Sequence, residues 1–171
     1  MSAARSIRSG SGAMAAPTGS PTAPPTKSLA GQTAMITGAG RGIGRAIAIR
    51  FAAAGAAVVC CARSQETVDA TIASVRHDGG DGFAVRADVR VPEAMAALAQ
   101  AAVDRFGHLD LAILNAGVNP AHTRIDRIAP DVWRECVETN LSGVFHGLRA
   151  VVPHMRAAGG GRVLVLGAAA W

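Results

Sequence analysis

The chain has 171 residues, half of them hydrophobic and mostly Ala, Val, Ile and Leu, which is enough for one domain with a sizeable core. The net charge of +5 does not point to nucleic acid: three of the excess charges sit on Arg5, Arg8 and Lys27, and four Phe, two Trp and no Tyr offer few surfaces on which bases could stack. No apolar stretch approaches bilayer-spanning length, and Cys60, Cys61 and Cys136 lack metal-ligand spacing, so neither a membrane nor a metal is expected and the cysteines read as small buried hydrophobes in the reducing cytoplasm.

Residues 1–28 are rich in Ser, Ala, Gly, Thr and Pro, with Pro17, Pro21, Pro24 and Pro25 interrupting any helix. They read as a disordered tail. Its Arg and Ser content and lack of acids faintly resemble an organelle transit peptide; a solvated extension, or an overlong start with Met14 as the initiator, are the other readings. Residues 29–171 form the folded part. A short apolar run, Thr33 to Ile36, leads into Thr37-Gly38-Ala39-Gly40-Arg41-Gly42-Ile43-Gly44, which opens a helix with Ile43, Ile47, Phe51 and Ala54 on its expected apolar side. At such a strand–turn–helix the backbone approaches a ligand without a Cβ in the way, and the first helical N–H groups point toward it unpaired. A pyrophosphate suits that geometry, and a plain tight connection is the alternative.

Ala56 to Cys61 is a continuous apolar run of the kind that forms a strand covered on both faces. A helix over about Ser64 to His77 is closed by Gly79-Gly80, and Phe83 to Ala87 reads as a third strand ended by Asp88. Pro92 begins the next helix, whose stripe is Met95, Leu98, Ala102 and Phe106 and whose stop is Gly107. Leu109 to Leu114 is strand four. Pro130 opens a helical segment through Trp133 and Val137, a long helix runs from about Asn140 to Arg156, and Arg162 to Leu166 is strand five. Strands alternating with helices at this spacing predict parallel βαβ units with right-handed crossovers.

The glycine turn does not fit G-x-G-x-x-G in any register; its pattern is T-G-x-x-x-G-x-G. In that form it resembles the short-chain dehydrogenase/reductase family. Four later stretches match that family in order: Asp88-Val89, Asn115-Ala116-Gly117, Asn140 within Asn140-Leu141-Ser142-Gly143, and Gly161 to Leu166. The resemblance implies a doubly wound, Rossmann-like α/β sheet in strand order 3-2-1-4-5 and hydride transfer between a nicotinamide dinucleotide and a small alcohol or carbonyl substrate. It implies that Asp88 and Val89 contact adenine, that Asn115, Ala116 and Gly117 form the turn after strand four, and that Asn140 is the Asn of a catalytic tetrad. Read as bare residues, Asp88 also suits a helix cap, Asn115 to Gly117 an ordinary turn, and Asn140 a helix start.

Where an NAD enzyme carries an acid at the end of strand two, this chain has Ala62 and then Arg63. With Arg41 nearby, that favours NADP(H) over NAD(H), guanidinium being matched to a 2′-phosphate; solvated surface charge is the other reading of both arginines. The family's Tyr and the Lys four residues after it are missing: the chain has no Tyr, its single Lys is Lys27, and Ala168 falls where the orienting Ser is expected. His122 follows strand four, and His146 and His154 on the long helix read as surface or packing groups. The sequence therefore reads as an oxidoreductase by family, truncated before its Tyr-Lys helix and inactive as given. The alternative is a noncatalytic dinucleotide-binding or interaction fragment from a truncated or frameshifted gene. The uncovered long helix and strand five predict a homo-oligomer or an aggregation-prone fragment.

Overall fold

A computed structural model describes residues 28–119 and 124–167. The elements in chain order are β1 (Thr33–Thr37), α1 (Gly42–Ala53), β2 (Ala57–Ala62), α2 (Gln65–His77), β3 (Gly82–Arg86), α3 (Pro92–Phe106), β4 (Leu111–Leu114), α4 (Pro130–Val137), α5 (Gly143–Ala157) and β5 (Arg162–Val165). All strand pairs are parallel and the order is β3-β2-β1-β4-β5. The expected topology holds. The tail, His122 and Ala168 lie outside the described residues.

Alternation along the strands divides the core into two layers. Met35, Val59, Cys61, Ala112 and Leu114 face α3 and α5, where Met95, Leu98, Ala102, Val151 and Met155 meet them. Ala34, Ile36, Val58, Cys60 and Ile113 face the other way, against Ala48 and Ala52 of α1 and Val68, Ile72 and Val75 of α2. Adjacent Cys60 and Cys61 therefore lie in opposite layers as the period of two requires. Burial pushes both thiols up to about 12, so both remain protonated at neutral pH.

Three expectations about helices are corrected. On α1 the fully buried line is Gly44, Ala48 and Ala52; of the expected stripe, Ile47 and Phe51 pack half-buried against the same core layer, whereas Ile43 is exposed. The reason is distance: a Cβ on Gly44 would overlap the Gly38 carbonyl and the Asn115 side-chain amide, so α1 lies against the ends of β1 and β4 through its smallest residues. The long helix begins at Gly143, after a π-helical turn over Glu138–Ser142. Of its apolar residues, Val144, Leu148, Val151 and Met155 pack inward, whereas Leu141 and Phe145 are exposed. No helix among the described residues is long and apolar enough to cross a membrane.

Candidate functional site

Because every strand is parallel, the C-terminal ends of β1 to β4 open on one side of the sheet. The chain leaves β1 toward β2 and later returns to β4 on β1's other flank, which opens a crevice between the crossovers. A cavity of about 610 Å³ occupies it. Its floor is Gly38, Gly40, Arg41, Gly42 and Ile43; its walls are Cys61 to Ser64 with Thr67, then Ala87 to Val89, Asn115 to Val118, and Thr139.

Two helix N-termini reach this cavity and differ in their caps. At α2, the Ser64 hydroxyl accepts from the Thr67 N–H at 3.4 Å and the Thr67 hydroxyl donates to the Ser64 carbonyl at 3.1 Å. At α1, the N-cap residue is Arg41, in extended conformation and with no side-chain cap. The first N–H groups of α1 thus face the cavity with no capping side chain and the positive end of the helix dipole behind them. Gly42 sits there at φ +55°, and a Cβ on it would meet nothing within 4 Å.

Thr37 and Asn115 act on the frame. The Thr37 hydroxyl accepts the N–H groups of Asn115 and Ala116, both at 3.0 Å, and donates to the Ile113 carbonyl at 3.4 Å. The Asn115 amide donates to the carbonyls of Thr37 at 3.0 Å and Gly38 at 3.4 Å. Five bonds between residues far apart in sequence thus fasten β4 to β1 and to the glycine turn. Thr37 and Gly44 support the cavity from behind, whereas every other residue read as a cofactor contact lines it.

Two charged residues of the lining, Asp88 and Arg63, are paired. Asp88 is held by Arg90, with Arg90 Nη2 to Oδ2 at 2.6 Å, Nε to both oxygens at 3.0 and 3.1 Å, and the Arg90 N–H to Oδ1 at 3.0 Å. These bonds from the Arg90 side chain, more than any other influence, hold the Asp88 carboxyl below its usual range. Arg63 lines the cavity while its Nη1 pairs with Glu135 Oε1 of α4 at 3.1 Å.

Asn140 lies in the π-helical turn, where its Oδ1 accepts the Val118 N–H and its Nδ2 donates to the Val118 carbonyl, both at 2.8 Å. Its amide closes a small ring with the backbone after β4, next to the cavity and outside its lining. Its neighbour Thr139 does line the cavity, and the buried Thr139 hydroxyl has no hydrogen-bond partner among the described residues. Sequence reasoning missed Thr139, Val118, Arg90 and Glu135. Of these, only Arg90 had a local signal, an Arg two residues after an acid. His146 Nδ1 donates to the Val89 carbonyl at 3.0 Å, so the ring ties α5 to the turn after β3.

The model for short chain dehydrogenase matches residues 32–170. The chain belongs to the short-chain dehydrogenase family, whose members are oxidoreductases with a Rossmann-like NAD(P)-binding fold. The short-chain reductase protein NovJ of Streptomyces niveus is 38% identical over 131 residues, covering 77% of this chain and 50% of that protein. A metagenomic short-chain oxidoreductase solved in complex with NADP superposes with a TM-score of 0.78 at 34% identity, covering 84% of this chain and 65% of that one. Carveol dehydrogenase from Mycobacterium avium, solved in complex with NAD, gives 0.76 at 30% identity, with 81% and 55% covered. The chain spans about half the length of the curated relatives it matches.

Proposed function

We propose that residues 29–171 form a dinucleotide-binding domain whose cavity takes the adenosine and pyrophosphate part of NADP(H) in preference to NAD(H). The observation that carries this is the uncapped N-terminus of α1, which opens through a glycine turn onto a cavity at the point where the strand order reverses. The residues fit the group in two further respects. Gly42 leaves open space where a side chain would stand, and the buried Thr139 hydroxyl in the lining, with no partner among the described residues, could pair with a ribose or phosphate oxygen.

In this reading the N–H groups at the start of α1 bind the pyrophosphate, Val89 and Ala116 flank the adenine, and Arg63 and Arg41 bind the 2′-phosphate. Asp88 is the one carboxylate of the lining and is occupied by Arg90, so the 2′ end of the cavity favours an anion. Thr37, Gly44 and Asn115 position these groups. Asn140 positions the loop at Val118 beside the cavity, and the family reaction gives the same Asn a place in proton transfer.

When bound, the nicotinamide would accept a hydride from an alcohol or supply one to a carbonyl, and that exchange is the whole protein's activity in this reading. These 171 residues contain no phenol to hold the substrate proton, and the single lysine is Lys27, so binding without turnover is the reading for the chain taken alone. Three unpaired cysteines, Cys60 and Cys61 buried and Cys136 half-buried, accord with a reducing, cytoplasmic location. Titration of the chain with NADPH and NADH tests the reading, together with Gly42→Asp, which sets a carboxylate at the α1 N-terminus. Micromolar or weaker NADPH binding that is lost in the variant is expected; unchanged binding in Gly42→Asp overturns the assignment.

A further inference from the structure

Arg63 lies where β2 ends and α2 begins, and its guanidinium reaches over to α4, 72 residues later in the chain, to meet Glu135. The Arg63 carbonyl accepts Arg86 Nε at 3.2 Å, which steadies its backbone and leaves the side chain to choose its partner. Glu135 does not line the cavity, whereas Arg63 does. Around the same mouth, Arg63 and Arg90 both act on Asp88, and Glu135 and Glu138 both act on Arg90, so the two signs are interleaved here. Asp88 is already satisfied by Arg90. Arg63 is therefore a cavity cation whose counter-ion sits outside the cavity.

We propose that Glu135 is a specificity-determining residue: its carboxylate occupies Arg63 as a resident anion, and a 2′-phosphate must displace it. This rests on the reading of Arg63 as the 2′-phosphate ligand. A ribose 2′-hydroxyl has no charge with which to compete and leaves the pair intact. The pair is half exposed, with side-chain exposures of 57% and 43%, so its attraction is screened and its displacement is a modest cost, not a block. Glu135 therefore lowers the preference for the 2′-phosphorylated dinucleotide without abolishing it. The same exchange releases α4 from the β2–α2 turn, and α4 buries no residue of its own that would hold it there.

The probes are adenosine 2′,5′-bisphosphate and AMP, which differ only in the 2′-phosphate and need only the adenosine end of the cavity. Both are titrated into the 171-residue chain and its Glu135→Gln, Arg63→Ala, double and Glu138→Gln variants. Glu135→Gln should tighten the bisphosphate about two- to fivefold, the range of an exposed ion pair, and leave AMP unchanged. The gain should vanish in the Arg63→Ala background, and Glu138→Gln, which removes a nearby charge not bonded to Arg63, should leave the bisphosphate-to-AMP ratio as it is. If Arg63→Ala weakens the bisphosphate selectively but Glu135→Gln changes nothing, or Glu138→Gln matches Glu135→Gln, the competition is overturned and the role of Arg63 stands. If Arg63→Ala leaves the ratio unchanged, or neither probe binds, the reading of Arg63 fails and the inference with it.

Discussion

The two flanks of β1 are paired alike and covered differently. On one flank, Val58 to Cys61 of β2 are fully buried between helix layers. On the other, β4 is buried throughout, yet β5, in register with it from Leu111 opposite Arg162 to Leu114 opposite Val165, has no buried residue. α4 likewise buries nothing, and α5 turns Phe145 outward. Backbone pairing thus extends to a strand that contributes only Val163, half-buried, to the core. Hydrogen bonding sets the geometry of β5, but the apolar burial that stabilises the sheet lies in the layers around β1, β2 and β4. The cavity stands on the packed part, its floor tied to β4 by Thr37 and Asn115.

The largest effect should separate the flanks directly. Leu98 is wholly buried on α3, and Leu98→Ala should cost about 2–5 kcal/mol in urea unfolding. Leu164 is half exposed on β5, and Leu164→Ala should stay within about 0.5 kcal/mol. Equal costs would mean that the outer face of β5 is buried in solution.

The next effect concerns that outer face. An edge strand carrying exposed Leu164 and Val165 is a template for another chain, and we propose that the protein self-associates through it. Light scattering should give a mass above the monomer's at high protein concentration, and Val165→Lys should move it back toward the monomer. A stable monomer at high concentration would refute the association.

The same division shows what the sequence makes legible. Strand and helix positions could be read because apolar runs are punctuated by Gly107, Pro92, Pro130 and the glycines after α2 and α5, which act locally. The centre of α1's buried face could not, since large apolar residues dominate any periodicity while the close approach to β1 and β4 selects Gly44, Ala48 and Ala52 and leaves Ile47 and Phe51 at its side. α5 repeats the effect: a Cβ on Gly147 would lie 2.7 Å from Leu114 Cδ2, so the helix turns its glycines in and Phe145 out. At the site, the glycine turn and the stretches after β3 and β4, which line the cavity, were legible through their resemblance to the short-chain family's motifs. The partners of Arg63 and Asn140 were not, because a bond across 72 or 22 residues leaves no local pattern.

The smallest effect belongs to the cavity wall and is read through pH. Arg90's side-chain hydrogen bonds, foremost, and then its N–H and its charge lower the Asp88 carboxyl, while partial burial opposes them. A carboxyl whose folded-state value lies below its unfolded value, about 3.9, binds protons more readily when the chain is unfolded. Its contribution to stability is therefore fully present above that range and is lost as pH falls through the lower folded value. Side-chain exposures of 25% and 34% leave the pair open to screening, so the contribution should be smaller than that of any buried side chain tested above, and smaller still in high salt. Melting temperatures of the wild type and Asp88→Asn should converge as pH drops from 6 toward 3, the wild type being the more stable at the upper end. Parallel curves over that range would show that Arg90 orders the wall without stabilising it.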